Sequence, residues 1–239
     1  MLTKRPADAR GHANHGWLDS HHTFSFAGYY DPKHLGFGPL LVINEDRVAP
    51  GRGFGPHPHR NMEIISYVLD GALEHRDSMG TGSVIRPGEV QYMSAGTGVV
   101  HSEMNHSREE PVHFLQIWIV PDAGGGEPKY DQREFPREER INRLRLLASG
   151  DGSGGSIRIG QDARLYGSIV EASKSVDVEI AAGRSLWLHV ARGLAHADGT
   201  TLSTGDGASL VGPAKLTITA DEETELLVFD LPGEGKAMR

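Results

Sequence analysis

Cysteine is absent from the 239 residues of the chain. A disulfide-stapled scaffold and a thiolate metal site are therefore both excluded, and the composition fits a reducing compartment. No stretch approaches the roughly 18 apolar residues that a membrane helix needs. The first twenty residues carry Lys4, Arg5 and Arg10 but lack the apolar segment of a signal peptide. We therefore expect a cytoplasmic protein that makes no membrane contact.

A cluster of positive charge is missing as well. Lys and Arg together number 24 against 32 Asp and Glu, which gives a formal net charge of −8. Nucleic acids and anionic membranes bind basic patches, so direct binding to either is not expected. Substrates held by phosphate groups are disfavoured for the same reason.

Long helical periodicity is also lacking, and short strand-like runs take its place. From Pro39 onward the runs include LLVINED, NMEIISYVLD and VHFLQIWIV, and glycine-rich turns separate them. With 31 Gly and 13 Pro, this pattern is typical of an all-β sandwich or barrel. Gln116 and Trp118 share one face of VHFLQIWIV and would line a cavity if that face points inward. Ordinary core packing is the alternative.

The second half of the chain repeats this pattern, which indicates an internal duplication. YVLDG at 67–71 can be laid over HVARG at 189–193, and the second copy then lacks the ten residues that carry HisProHis. We predict an N-terminal metal-binding domain over 1–125, a linker and crossover with a short helix over 126–160, and a C-terminal domain without metal ligands over 161–239. His189 and His196 have no ligand partner two residues away and are expected to be structural.

Two pairs of ligand-type residues stand out. His57 and His59, and then His101 and Glu103, are each two residues apart, so in strands both members of a pair point to the same face. Three imidazoles and one carboxylate suit a first-row divalent ion such as Fe, Mn, Co, Ni, Cu or Zn. Surface histidines in polar loops are the alternative, but two such pairs beside glycine-rich turns make it the weaker interpretation.

A second group of histidines lies near the N-terminus at positions 12, 15, 21 and 22. Their spacing matches no ligand pattern. Because HisThrPheSerPhe alternates polar and apolar residues, we predict a strand with structural imidazoles instead.

The two stretches that carry these residue pairs resemble known motifs. The spacing of Gly51, His57, His59 and Glu63 is similar to the first cupin motif. The stretch that contains His101 and Glu103 follows the residue order of the second cupin motif. HPHR at 57–60 and AGTGVVHSE at 95–103 resemble the pirin family more specifically, and within it the bacterial pirin-like quercetin 2,3-dioxygenases. RGHANHGWLDS near the start and LLVFDLP near the end extend the resemblance over nearly the whole chain.

The resemblance implies a bicupin fold of two tandem β-barrels, with one divalent ion bound by His57, His59, His101 and Glu103. Iron is expected first, with Zn, Mn, Co, Ni and Cu as alternatives. Glu103 is also the implied general base: a flavonol loses its 3-hydroxyl proton, and dioxygen is inserted with loss of carbon monoxide. General cupins take their carboxylate ligand from the first motif. The spacing here is one residue short for that role. Glu63 is therefore expected to contact the metal-binding side chains rather than the metal itself.

A different class of function stays open. Some relatives of pirin are regulatory modules that bind a protein partner without turnover, and the sequence does not exclude that role. A redox-silent cupin isomerase is a third option that no residue pattern favours. The expected partners are therefore a flavonol and dioxygen for the enzyme, and a protein for the module.

Overall fold

The computed structural model describes residues 1–233 and 235, and it is built almost entirely of strands. The helical segments are short: α1 at Arg137–Arg140, with 3-10 turns at Ala7–Ala9 and Ser153–Gly155. The strands, in chain order, are β1 (Thr3–Arg5), β2 (Gly11–Asn14), β3 (Leu18–His22), β4 (Leu40–Val48), β5 (Gly53–His59), β6 (Glu63–Asp70), β7 (Leu73–Asp77), β8 (Gly82–Ile85), β9 (Glu89–Ser94), β10 (Val99–Asn105), β11 (Val112–Ile119), β12 (Lys129–Glu134), β13 (Arg145–Ser149), β14 (Ile157–Arg158), β15 (Arg164–Val170), β16 (Ser175–Ile180), β17 (Arg184–Arg192), β18 (Leu194–Ala197), β19 (Thr200–Ser203), β20 (Gly207–Val211), β21 (Ala214–Ala220) and β22 (Thr224–Pro232).

These strands form two similar barrels, each made of a seven-stranded and a four-stranded sheet. In the N-terminal barrel the large sheet has the order β12-β9-β6-β11-β4-β3-β2 and the small sheet β5-β10-β7-β8. In the C-terminal barrel the orders are β1-β20-β17-β22-β15-β13-β14 and β16-β21-β18-β19. The predicted all-β bicupin fold is confirmed. No helix in the described part of the chain is long and apolar enough to cross a membrane.

The two large sheets pack against each other through their outer faces. Strand β11 illustrates the alternation that this requires, since Leu115 and Ile117 are fully buried in the core between the barrels. Phe114 points the other way, into a separate cluster inside the N-terminal barrel. The C-terminal barrel contributes Trp187 and Phe229 to the shared core. A sheet covered on both faces explains why its strands read as nearly continuous apolar runs.

Segments near the predicted domain boundaries contribute to both barrels. Strand β1 pairs with β20 in the C-terminal barrel although it lies at the start of the chain. Within the predicted linker over 126–160, β12 pairs with β9, whereas β13 and β14 belong to the C-terminal sheet. The division at 125 and 160 stays a prediction, and the end of the last domain, Arg239, lies outside the described residues.

A buried polar cluster also joins the barrels. Arg140 of α1 donates to the Tyr67 hydroxyl at 2.6 Å and to Glu225 at 3.0 Å, and Tyr67 in turn donates to Glu225 at 2.5 Å. Tyr67 lies on β6 and Glu225 on β22, so the cluster spans the contact between the two large sheets. Burial and the neighbouring Glu225 carboxylate raise the pKa of Tyr67 well above its usual value.

Glu63 takes part in this contact between the barrels. Its carboxylate is 2% exposed and accepts hydrogen bonds from the Tyr92 hydroxyl, from Ser94 Oγ at 2.7 Å and from the Gly160 backbone N–H at 2.6 Å. The Gly160 backbone approaches so closely that a Cβ there would lie 3.1 Å from Glu63 Oε2. Both carboxylate oxygens are therefore engaged, Oε1 by Ser94 of the same barrel and Oε2 by Tyr92 and by the Gly160 backbone, which leads into the second barrel.

We expect Glu63→Gln to destabilise the protein without releasing metal. The amide keeps one acceptor oxygen but turns an N–H group toward neighbouring donors, and such a mismatch costs about 1–3 kcal/mol. Thermal unfolding should show a lower midpoint, while metal content measured by mass spectrometry stays at the wild-type value. A loss of metal at unchanged stability would contradict this assignment.

Candidate metal centre

The candidate centre is built on the antiparallel pairing of β5 with β10. In this register His57 lies opposite His101, and His59 lies opposite Val99. Gly53 makes the close pairing possible, because a Cβ at that position would lie 2.3 Å from the Glu103 backbone oxygen. The two histidine-bearing runs, more than forty residues apart in the chain, thus become neighbours in one sheet.

A bulge in β5 sets the direction of His57. Between the pairs His101 with His57 and Glu103 with Phe54, two steps along β10 oppose three steps along β5. The extra length includes Gly55, whose carbonyl oxygen accepts a hydrogen bond from His57 Nδ1–H at 2.8 Å. Because a carbonyl can only accept, Nδ1 carries the proton and the Nε2 lone pair is left for a metal.

A chain of buried groups on β7 acts on His101 in the same way. His75 Nε2 lies 3.0 Å from Asp77 Oδ2, and both side chains are fully buried. An ionised carboxylate only accepts, so His75 donates through Nε2, and its Nδ1 can accept a hydrogen bond from His101 Nδ1–H at the long distance of 3.5 Å. His101 then presents an unprotonated Nε2, which is buried and has no hydrogen-bond partner within residues 1–233 and 235.

The three imidazoles converge. The ring centroid of His57 lies 4.4 Å from that of His101 and 4.8 Å from that of His59, and the remaining separation is also 4.8 Å. Burial is the main cause that lowers the pKa of His59 to about 4 and that of His101 to about 3, and the neighbouring imidazoles lower both further. Neutral, convergent imidazoles with an unpartnered buried nitrogen fit a divalent transition metal ion.

Glu103 lies on the same face of β10 as His101 but is held by the opposite sheet. Gln116 Nε2 donates to Glu103 Oε2 at 2.6 Å, and Ser66 Oγ lies 3.1 Å from Oε1. Its carboxylate falls within 4.8 Å of donor atoms of His101 and His75, whereas the three-histidine group is formed by His57, His59 and His101. The structure therefore brings three of the sequence-predicted ligands together and sets the fourth beside one of them.

A cavity of about 720 Å³ opens on the centre. This volume suits a small organic ligand. His57 and Glu103 contribute to its wall, and Gln116 and Trp118 also line it, so the polar and aromatic face of β11 is the one that points inward. The aromatic side chains around the cavity come from four different segments: Trp17, then Phe26 with Tyr29, then Phe54, and finally Trp118.

The other histidine groups do not join this centre. His12, His21 and Asp19 come within 4.8 Å of one another on β2 and β3, where His12 Nε2 contacts Asp19 Oδ1 at 2.7 Å. His196 contacts Asp221 at 2.7 Å in the C-terminal barrel. His189 is fully buried, and burial lowers its pKa to about 4.

The sequence analysis did not identify His75, which contacts the predicted ligand His101, or Asp77, which contacts His75. A signal was present, because they are two residues apart in a strand, as the ligand pairs are. It missed Asn44 and Asp46 as well, which are buried in the cavity wall. Their strand reads as LLVINED, and nothing in that alternation indicates which barrel face is open.

Comparison with known proteins agrees with this geometry. The Pirin family model matches residues 3–119, and a model described as the quercetinase C-terminal cupin domain matches residues 146–231. Quercetin 2,3-dioxygenase of Escherichia coli K12 is 47% identical over 233 residues, covering 97% of this chain and 99% of the relative. A pirin-like protein of Caulobacter vibrioides is 41% identical, covering 96% and 99%.

Solved structures point the same way. The crystal structure of the bacterial pirin YhhW from Escherichia coli in complex with nickel(II) has a TM-score of 0.93 and 46% identity, covering 98% of this chain and 100% of that one. Another crystal structure of YhhW gives a TM-score of 0.94. With relatives this similar along nearly its whole length, the chain belongs to the pirin family, and both of its barrels have cupin architecture.

Proposed function

We propose that this protein is a metal-dependent dioxygenase that opens the central ring of a flavonol such as quercetin and releases carbon monoxide. The observation that carries the proposal is the unpartnered, buried Nε2 of His101 in a three-histidine group that adjoins an aromatic-lined cavity. The 47% identity to a protein named quercetin 2,3-dioxygenase supports the reaction class. Fold alone would not, because one fold supports many reactions.

In this proposal one ion per chain is held by His57, His59, His101 and Glu103. Iron is the first choice for the native ion, and the nickel complex of a similar pirin supports a broader capacity for divalent ions. When bound, the ion would polarise the substrate oxygens and offer a position to dioxygen.

The chain's own residues bind, orient and deprotonate the substrate. Trp17, Phe54 and Trp118 present aromatic surface to a flat ligand and keep water away from the reacting carbon atoms. Glu103 is the general base that accepts the 3-hydroxyl proton. Gln116 fixes the carboxylate through its 2.6 Å hydrogen bond, so the basic oxygen is oriented before the substrate arrives.

The regulatory module is the competing function, and turnover separates the two. Oxygen uptake and carbon monoxide release with quercetin support the enzyme. If protein loaded separately with Fe, Mn, Co, Ni and Cu does neither, and binds a protein partner in a metal-dependent manner, the module replaces it.

The ligand assignment predicts one ion per chain. The doubly substituted variant His57→Ala, His59→Ala removes two of the three imidazoles and should abolish metal retention, because the C-terminal barrel carries no comparable group in its described residues. Mass spectrometry of protein purified without a His-tag measures the ratio. Two ions per wild-type chain, or one ion retained by the variant, would contradict the assignment.

Glu103→Gln tests the general base. The amide keeps the shape of the side chain but cannot accept the substrate proton, so turnover should fall by about two or more orders of magnitude. Most of the metal should be retained. Glu63→Gln makes the same chemical change at the contact between the barrels and serves as the matched control, with turnover close to wild type at a temperature where both are folded.

His75→Phe tests the support of His101. Without the acceptor nitrogen of His75, His101 Nδ1–H loses its buried partner, and metal affinity should fall by about 10–100-fold, the usual effect of losing a group that orients a ligand. Competition with a chelator gives the affinity. His196→Phe, on the surface of the other barrel, is the control and should not change it. Equal affinities for wild type and His75→Phe would exclude the proposed role.

A further inference from the structure

Four side chains that line the cavity of about 720 Å³ each have a buried polar atom without a hydrogen-bond partner in the part of the chain that is described. Three of these atoms belong to neighbouring polar residues, His22 Nδ1, Asn44 Oδ1 and Asp46 Oδ1, and the fourth is the indole Nε1 of Trp118. The His22, Asn44 and Asp46 side chains are each at most 4% exposed. A buried polar atom without a partner is energetically unfavourable, and several such side chains lining one cavity indicate that a ligand supplies the missing partners.

The pairing of β3 with β4 brings these groups into a compact patch. His22 lies opposite Asn44, and Ser20 lies opposite Asp46. Residues two apart on each strand share a face, so the four side chains form two adjacent rows. We call these residues the hydroxyl patch: Ser20, His22, Asn44 and Asp46.

The patch continues toward the candidate centre. On the next strand, Gln116 lies opposite Asn44, and Ser66 lies opposite Gln116. Gln116 and Ser66 are the residues that hold the Glu103 carboxylate. One row of polar side chains on the large sheet therefore leads from the proposed base to the far wall of the same cavity.

The patch offers acceptors. Ser20 Oγ lies 2.9 Å from His22 Nε2. The unpartnered Asn44 Oδ1 and Asp46 Oδ1 are oxygen atoms that can accept hydrogen bonds. Burial lowers the pKa of His22 to about 4, so the ring is neutral near pH 7.

Acceptors in this position call for O–H donors on the ligand. Phenolic hydroxyl groups are such donors, and the aromatic side chains of the cavity suit the ring that carries them. The side chains of Asp46 and Glu103 both line the cavity, and negative charge on either of them repels an anionic group on the ligand. The chemistry favours a neutral polyphenol over an aromatic acid.

We propose that the hydroxyl patch, through Asn44 and Asp46, selects aromatic substrates that carry phenolic hydroxyl groups away from the atoms that chelate the metal. This inference rests on the proposed function, which supplies the metal ion that the substrate chelates. It adds the class of substrate that the cavity selects. Quercetin belongs to the class. 3-Hydroxyflavone keeps the chelating 3-hydroxyl and 4-carbonyl but lacks every other hydroxyl group, so it is the matched ligand.

The test compares the affinities of nickel-loaded protein for these two flavonols by calorimetry without oxygen. We expect Asp46→Asn and Asn44→Leu each to weaken quercetin binding by about tenfold or more, because each substitution weakens or removes a hydrogen-bond acceptor for the ligand hydroxyl groups. The affinity for 3-hydroxyflavone should change by less than about threefold. Asp131 lines a different cavity, which also includes Glu63 and Gly160, so Asp131→Asn is the matched control and should leave both affinities unchanged.

Stability distinguishes recognition from a structural role. Burial, with the negative charges of Glu103 and Glu45, raises the pKa of Asp46 to about 7, although the Ser20 hydrogen bond lowers it. Removing this charge relieves a cost of folding, so Asp46→Asn should melt at or above the wild-type temperature at pH 8 while binding quercetin less well. Asn44→Leu, which changes no charge, provides the second independent variant.

The outcomes separate this inference from the proposed function. A parallel loss for quercetin and 3-hydroxyflavone, or no loss for either, overturns the hydroxyl patch. A selective loss of quercetin affinity without oxygen consumption by the wild type supports the patch and overturns the dioxygenase. Nickel content must stay at the wild-type ratio in both variants.

Discussion

The register between β5 and β10 is the constraint on which the candidate centre depends. A shift of one residue would turn His57 and His59, or His101 and Glu103, to the other face of the sheet. The bulge opposite His101 and the tight approach at Gly53 fix this register. The same bulge supplies the Gly55 carbonyl that selects the tautomer of His57, so strand geometry and imidazole chemistry are set together.

The two sheets of the N-terminal barrel have different tasks. The small sheet carries the histidines and, on β7, the His75 and Asp77 pair that supports His101. The large sheet carries the row of polar side chains that holds Glu103 and continues into the hydroxyl patch. A ligand in the cavity would thus lie between nitrogen donors on one wall and oxygen acceptors on the other. This division gives the proposed substrate a defined orientation before any reaction begins.

The C-terminal barrel supports the site by packing against the N-terminal large sheet on the face opposite the cavity. Its large sheet packs on the outer face of the N-terminal large sheet, and the buried Arg140, Tyr67 and Glu225 cluster and the Glu63 contact with Gly160 lock the two together. Leu115 and Ile117 face this second barrel while their neighbour Gln116 faces the cavity. Rigid packing on one face of β11 therefore positions the group that orients Glu103 on the other face.

The sequence by itself determined the all-β class, the repeat in the second half and the two pairs of metal-binding residue types, because strand alternation and i, i+2 spacing are local properties. The bicupin layout was implied by the resemblance to the pirin family. The sequence did not determine which face of β11 points inward, where the Glu63 carboxylate is bound, or that His75, Asn44 and Asp46 line up behind and beside the centre. Those features depend on pairing between strands far apart in the chain and on which sheet face the second barrel covers. Only the tertiary structure decides them, because alternation alone is the same for a face that lines a cavity and for a face that is packed in a core.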